Sequence, residues 1–127
     1  MDKGDAVPEM KVTPDKYVTY RYAGASGDFN PIHIDEEFAK AVGLPGRILH
    51  GLWTMAQVAR AAEQAGGGFR NLERLSVQFR GMGQLEQEIT VTGSVGEAGD
   101  GRAVLELEAA QGDQKIIRNG QAEISTS

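Results

Sequence analysis

The sequence predicts an α+β fold, because helical patterns fill its first half and strand patterns its second half. Residues 51–65 carry apolar side chains at the spacing of a helix, and the glycines at residues 66–68 end that pattern. Beyond this point apolar and polar residues alternate, which indicates strands. Helices and strands separated in this way form an α+β domain, unlike the alternating elements of βαβ units.

Ahead of the long helix, the sequence predicts a strand before Thr13 and a helix from residue 14 to about residue 25. Thr13 is a good N-cap, Pro14 suits the first helical position, and Asp15 would face the positive end of the helix dipole. Residues 17–22 are rich in β-branched and aromatic types, which favour a strand. We expect residues 14 to about 25 to form the helix that the capping pattern indicates.

A second, short helix is predicted over residues 36–42. Asp35 precedes it as an N-cap, and Gly43 follows its last residue. Phe38 and Val42 lie four residues apart, so we expect them to share one buried face.

Glycine-containing turns divide the strands of the second half. The sequences Gly99-Asp100-Gly101 and Gly112-Asp113 are typical of hairpin turns. About four strands are therefore predicted, at residues 72–79, 85–95, 102–110 and 115–125.

Composition limits the classes to which the protein can belong. Its 127 residues suit one domain with a single core, so we predict one domain over residues 1–127. Its 13 basic and 18 acidic residues give a formal charge of −5 without a long basic run, which argues against a nucleic-acid partner. The sequence has no cysteine, which excludes disulfides, thiolate nucleophiles and cysteine-ligated metals.

The sequence also lacks the patterns of export and of membrane insertion. Residues 1–5 have no apolar run of a signal peptide. No stretch approaches the roughly eighteen apolar residues of a membrane span. We therefore expect a cytoplasmic protein that has no membrane partner.

Residues 26–35, with the sequence SGDFNPIHID, combine an acid, an amide, a rigid turn and an imidazole. In an uninterrupted helix Asp28 and His33 would point about 140° apart. Pro31 argues against such a helix, because it removes a backbone donor and pushes Asn30 towards an extended conformation. The chain must turn between Asp28 and His33, and a turn can bring both side chains to one point. Each residue alone would more often be structural, but their combination favours catalysis.

The motif resembles the signature of the MaoC-like hydratase family, also called hydratase 2. Its landmarks are separate and occur in one order: Tyr22, residues 26–33 (SGDFNPIH), Asp35 and the pair His50-Gly51. The resemblance extends from about residue 12 to about residue 79. It implies a hot-dog fold, in which an antiparallel sheet wraps one long central helix, and pairing into dimers. It also implies (R)-specific enoyl-CoA hydratase or 3-hydroxyacyl-thioester dehydratase activity in fatty-acid metabolism.

That activity adds water across the 2,3 double bond of an enoyl thioester. The resemblance implies that Asp28 and His33 contact the catalytic water, one as base and one as acid, and the sequence leaves open which is which. Gly51 is predicted to donate its backbone N–H to the thioester oxygen, because a side chain at this helix start would obstruct the approach. Asn30 is predicted to hold the loop. His50 would either position the residues before Gly51 or cap the helix.

Neither a cofactor nor a metal is predicted. His33, His50, Asp28 and Asp35 include suitable ligand types, but the spacing His-x-Asp is too general to indicate a metal site. The expected substrate is a thioester of CoA or of acyl carrier protein, and the expected partner is a second hot-dog subunit, identical or different.

Two alternatives remain open. The chain also resembles the catalytic-type subunit of heterodimeric 3-hydroxyacyl-ACP dehydratases, which would need a partner chain. A hot-dog acyl thioesterase is the third hypothesis, and the intact sequence SGDFNPIH argues against it.

The chain departs from the family pattern after the long helix. Residues 79–86 have the sequence FRGMGQLE, with Gly81-Met82-Gly83 in a region where relatives often carry a Pro-containing stretch. The shape of this loop is left open, and with it the substrate tunnel that such loops can border. Trp53 and Met55 could line an acyl channel, but apolar residues on a central helix more often belong to the core.

Overall fold

The computed structural model describes residues 1–126, which form a five-stranded antiparallel sheet with a long helix packed against it. The strands are β1 (Ala6–Val12), β2 (Leu72–Phe79), β3 (Ile89–Gly99), β4 (Arg102–Gln111) and β5 (Gln114–Ser125). Their order across the sheet is β1-β3-β4-β5-β2. The helices are α1 (Val18–Ser26), α2 (Pro31–Ile34), α3 (Glu36–Ala41) and α4 (Gly51–Ala65). The prediction of an α+β hot-dog fold is confirmed.

The core lies between α4 and one face of the sheet. Alternate residues of β4 are buried, as expected for a strand with one covered face. Val58 and Ala62 of α4 have no exposed surface, and they belong to the same cluster as Leu105 and Ile124 of the sheet. Small side chains such as that of Ala62 let the helix axis approach the sheet closely.

The predicted strands are present, but β3 begins at Ile89 rather than at residue 85. Glu86 has a positive φ of 62°, and its N–H donates to the carbonyl of Pro14 at 2.7 Å. This contact holds a turn at the place where a strand was predicted. The hairpin between β3 and β4 turns at Asp100 and Gly101, both with positive φ, as the glycine-rich sequence predicts.

The predicted start of the first helix is wrong. Helix α1 begins at Val18, and Tyr17 is its N-cap residue, without a side-chain cap hydrogen bond. The carboxylate of Asp15 instead accepts the N–H of Tyr17 at 2.7 Å, which forms a local turn. The carbonyl of Pro14 accepts the N–H of Glu86 and does not bond within the helix, so this turn is held outside α1.

Helix α3 has the predicted N-cap, since the Asp35 carboxylate accepts the N–H of Phe38 at 3.0 Å. The predicted buried face is wrong. Phe38 and Val42 are 42% and 55% exposed, and Ala39 is the buried residue of this helix. Spacing of four residues places two side chains on one face, but only the neighbouring elements decide whether that face is covered.

Helix α4 has the predicted bounds, and its apolar stripe is only partly covered. Val58 and Ala61 pack on the sheet, whereas Leu52 is 61% exposed. Across residues 1–126, no helix is both long and apolar enough to cross a membrane. The cytoplasmic location stays a prediction.

Candidate active site

The loop between α1 and α2 turns the chain between Asp28 and His33, as the sequence predicts. Gly27 ends α1 in the left-handed conformation, with a φ of 79°. Asn30 then begins α2 as its N-cap, because its side-chain oxygen accepts the N–H of Ile32 at 3.2 Å and Pro31 takes the first helical position. The predicted holding role of Asn30 thus has a structural basis in this cap.

Asp28 and His33 face each other across a short gap. The Nε2 atom of His33 lies 4.0 Å from Oδ2 of Asp28. This distance is too long for a direct hydrogen bond but short enough for one water molecule to contact both atoms. The side chain of His33 is 9% exposed and that of Asp28 is 53% exposed, so the acid lies on the open side of the pair.

The tautomer of neutral His33 follows from a backbone contact. Its Nδ1 lies 2.8 Å from the carbonyl oxygen of Ile48. A carbonyl oxygen can only accept, so Nδ1 carries the hydrogen and donates it. In the neutral ring, Nε2 therefore presents its lone pair towards Asp28, which suits it to take a proton from water.

His50 is buried behind the pair. Its Nε2–H donates to the backbone carbonyl of Asp28 at 3.0 Å. Its ring is stacked on that of His33, with centroids 3.8 Å apart, and lies 4.7 Å from the ring of Tyr22. His50 occupies the N-cap position of α4, but its side chain makes no cap hydrogen bond. These contacts support the predicted positioning role, and the choice between the two roles stays a prediction.

A cavity of about 180 Å³ joins His33 to the start of α4. Gly51, the first residue of α4, lines this cavity together with His33. N–H groups in the first turn of a helix have no intrahelical acceptor, so they can bind an oxygen that carries negative charge. Most of the remaining wall is apolar and consists of Ile48, Leu49, Phe79, Met82 and Ile116.

Two residues considered for an acyl channel lie elsewhere. Trp53 borders a separate cleft between α1 and α4. Met55 is half-buried and packs against the core. Thr54, which the sequence analysis did not single out, is buried and lines the cavity instead. A threonine in the first turns of a helix has no sequence signal that separates such a role from packing.

Arg47 is a further residue that sequence reasoning missed. Its guanidinium donates to the hydroxyl of Thr19 at 2.9 Å and to the carbonyl of Lys16 at 3.0 Å. It also pairs with Glu36, at 3.3 Å. Arg47 therefore ties α1 and α3 to the segment that leads to Ile48 and His50.

Asp28, His33 and His50 each offer one metal-ligating atom, and these atoms lie within 4.8 Å of one another. The two imidazole planes are inclined by only 21°. Lone pairs in nearly parallel stacked rings run side by side instead of converging on one ion. Asp35, the fourth residue considered as a ligand, caps α3. The absence of a metal stays a prediction.

Comparison with known proteins gives one family match and several partial relatives. The model of the MaoC-like domain matches residues 2–115. The chain is 39% identical to the peroxisomal hydratase-dehydrogenase-epimerase of Neurospora crassa over 77 residues. The aligned stretch covers 61% of this chain and 8% of that protein. It is 46% identical to the peroxisomal enoyl-CoA hydratase 2 of Arabidopsis thaliana over 55 residues. That stretch covers 43% of this chain and 17% of the relative. The chain thus spans less than a fifth of either relative.

Solved structures share the fold along the whole chain. The (R)-hydratase from A. caviae involved in PHA biosynthesis has a TM-score of 0.88 and 21% identity, covering 100% of this chain and 98% of that one. The ChsH1-ChsH2 complex from Mycobacterium tuberculosis contains a chain with a TM-score of 0.88 and 20% identity, covering 98% of each chain. At these identities the likeness shows the fold alone.

Proposed function

Because the chain belongs to the MaoC-like domain family, we propose that it catalyses the reversible hydration of trans-2-enoyl thioesters to (R)-3-hydroxyacyl thioesters in fatty-acid metabolism. The observation that carries the proposal is the placement of Asp28 and His33, 4.0 Å apart, beside a cavity that His33 and Gly51 both line. His33, one member of the acid-base pair, and Gly51, a backbone donor that can stabilise charge, thereby line the same small cavity.

The pair has room for the water that reacts. A water between Nε2 of His33 and Oδ2 of Asp28 can hydrogen-bond to both atoms. As its oxygen attacks C3 of the enoyl group, the pair accepts one proton, and a proton from the pair is delivered to C2. The hydroxyl thus ends on C3 and a hydrogen on C2, and the pair returns to its starting protonation. Because the two groups act on one water, a pH profile of hydration reports the pair and not either residue alone.

The thioester oxygen gains negative charge in the same step. The N–H of Gly51 lies at the positive end of α4, so a thioester carbonyl in the cavity is stabilised by a hydrogen bond and by the helix dipole. With the carbonyl at Gly51, the acyl chain continues along the apolar wall, which includes Ile48 and Ile116.

We further propose that this chain acts as one MaoC-like unit and pairs with a second hot-dog subunit. Asp28 is half-exposed, and Phe29 beside it is 58% exposed, so one side of the site is open and apolar in the single chain. The solved ChsH1-ChsH2 complex contains a chain of this fold, which supports an assembly of two chains. The mass of the chain purified alone, measured by light scattering, separates self-pairing from a need for a different partner.

The decisive measurement is the loss of enoyl absorbance when the purified chain meets short trans-2-enoyl-CoA. We expect absorbance loss, no release of free thiol, and an (R)-3-hydroxyacyl product. Release of free thiol would instead establish a thioesterase. If the chain is inactive alone and remains inactive on acyl-carrier-protein substrates and with candidate partner subunits, the proposal is wrong.

A further inference from the structure

The cavity beside His33 lies next to a second, larger space, and three residues line both. This outer groove has a volume of about 440 Å³, and its lining combines apolar side chains with those of Arg80, Gln84 and Gln114. Both the cavity and the groove are lined by Phe79, Gly81 and Met82. Because Gly81 has no side chain, the wall between the two spaces consists chiefly of the side chains of Phe79 and Met82.

The backbone that carries Met82 is fixed on both sides. Before it, the N–H of Arg80 donates to the carbonyl of Ile116 at 3.0 Å, and after it the carbonyl of Gly83 accepts the N–H of Leu49 at 2.9 Å. The loop whose shape the sequence left open is thus a strap between β5 and the segment before α4.

The two glycines beside Met82 let the backbone of this loop approach the neighbouring segments closely. A Cβ on Gly81 would lie 2.7 Å from the carbonyl oxygen of Lys115, and one on Gly83 would lie 2.7 Å from Cδ1 of Leu49. Real Cβ atoms do not approach that closely. The sequence Gly-Met-Gly therefore places one large side chain at a fixed backbone position, with no bulk on either neighbour.

We propose that Met82 limits the length of the acyl chain that this protein accepts, and that its substrates are short-chain enoyl thioesters. This inference rests on the proposed function. Pockets that bind drug-sized ligands usually have volumes of roughly 300–1,000 Å³. A cavity of about 180 Å³ is smaller than these and favours a short acyl chain. A longer chain would have to pass the Met82 side chain into the outer groove.

The wall can be opened without disturbing the proposed catalytic residues. Met82 is 50% exposed and lies outside the buried core, so Met82→Ala is expected to fold. Removal of its side chain joins the cavity to the groove. Met82→Leu retains a wall of similar bulk, and Gln114→Ala widens the outer groove without opening the wall. These two variants are the matched controls.

Two readouts keep the inference separate from the proposed function. The first is kcat/KM for trans-2-enoyl-CoA substrates of four to twelve carbons. The second is calorimetric binding of saturated acyl-CoA of the same lengths, which cannot be hydrated. We expect the original chain to prefer substrates of four to six carbons. In Met82→Ala the ratio of kcat/KM for ten carbons to that for four should rise by about tenfold or more, because one methylene in an apolar pocket changes discrimination by at least this factor. Both controls should keep the original profile.

Each outcome tests either the role of Met82 in chain length or the proposed hydration activity. An unchanged length profile in Met82→Ala, or an original chain that already prefers ten carbons, overturns the role of Met82 while hydration stands. A shift in acyl-CoA binding without hydration at any length supports the role of Met82 and removes the hydratase. If neither chain binds acyl-CoA of any length, the inference is wrong. If Met82→Ala does not fold, Phe79→Ala opens the same wall from its other side and is subject to the same criteria.

Discussion

The imidazole of His50 is stacked on the imidazole of His33, with centroids 3.8 Å apart and planes inclined by 21°. Through its edge, the same His50 ring donates to the backbone carbonyl of Asp28 at 3.0 Å. One buried side chain thus contacts both members of the proposed acid-base pair. Its Nδ1 has no hydrogen-bond partner within residues 1–126, so the ring contacts the pair through its stack on His33 and its Nε2–H bond to Asp28.

The first prediction separates the two contacts of His50. His50→Phe keeps a flat ring beside His33 but loses the hydrogen bond to Asp28. We expect kcat to fall about tenfold, which corresponds to an increase of roughly 1.4 kcal/mol in the activation free energy. KM should change little, because His50 does not line the cavity. The pH profile of kcat should also shift, since the geometry of the acid-base pair changes.

His50→Gln is the complementary variant, because it keeps a donor but removes the stacked ring. Thermal unfolding of both variants serves as the control for packing. If both variants lose thermal stability while kcat and its pH profile stay unchanged, His50 is only a core residue and has no positioning role.

The second prediction concerns the pair itself. Asp28→Asn and His33→Ala should each lower kcat for enoyl hydration by about 10²- to 10⁴-fold, the usual effect of removing a general acid or base. Asp35→Asn is the matched control, because Asn caps helices as well as Asp does and Asp35 caps α3. This control should retain nearly full activity. Comparable losses in all three variants would point to a disturbed loop rather than to acid-base catalysis.

Local signals explain why the sequence located the turn at the site. Pro31 excludes a continuous helix, and the Asn30 side chain caps the next one, so both act within a few residues. The partners that orient the pair are not local. The acceptor of the His33 Nδ1–H is the backbone of Ile48, and a backbone carbonyl has no residue signature.

Errors in the predicted elements have the same physical origin. Pro14 has every local mark of a helix start, but its carbonyl is used by the distant Glu86. Phe38 and Val42 have the spacing of a buried face, but no described element covers that face fully. Capping and periodicity identify what a segment can form, whereas tertiary contacts decide where it begins and which side is covered.

The third prediction tests the start of α4. In Gly51→Ala the added Cβ would lie 3.1 Å from Cε1 of Phe79, whose ring is half-exposed and can shift, so the fold should be retained. The methyl group would hinder the thioester oxygen from reaching the backbone N–H, and we expect kcat to fall about tenfold or more. Gly24→Ala is the control, because its Cβ would meet nothing within 4 Å. It should keep full activity, and an equally active Gly51→Ala would remove Gly51 from the mechanism.

The fourth prediction concerns Arg47, whose side chain is only 11% exposed. Arg47→Lys loses the planar fork that reaches Thr19 and Lys16 together, and the buried hydroxyl of Thr19 loses this donor. We expect the free energy of unfolding to fall by about 1–3 kcal/mol, measured by urea denaturation. Arg60→Lys is the control, because Arg60 is exposed and its side chain bonds only to Gln57 within residues 1–126. Equal stability of the two variants would contradict the proposed linking role of Arg47.

The fifth prediction follows from the carboxylate that Arg47 holds. The backbone N–H of Arg47 donates to Glu36, and the charges of Lys40 and Arg47 add to its effect, so the pKa of Glu36 lies below its ordinary value. A depressed pKa in the folded state means that ionised Glu36 stabilises the protein above the unfolded pKa, and that this contribution is lost as the pH falls through the folded pKa. Glu36→Gln should therefore be less stable than the original chain at pH 7, and the difference should shrink below about pH 4.5.

Urea denaturation of the Glu36→Gln variant and the original chain at pH 7 and pH 4 measures this difference. Glu37→Gln is the control and should match the original chain at both pH values. A difference that stays constant between the two pH values would show that the charge of Glu36 contributes nothing to its contact with Arg47.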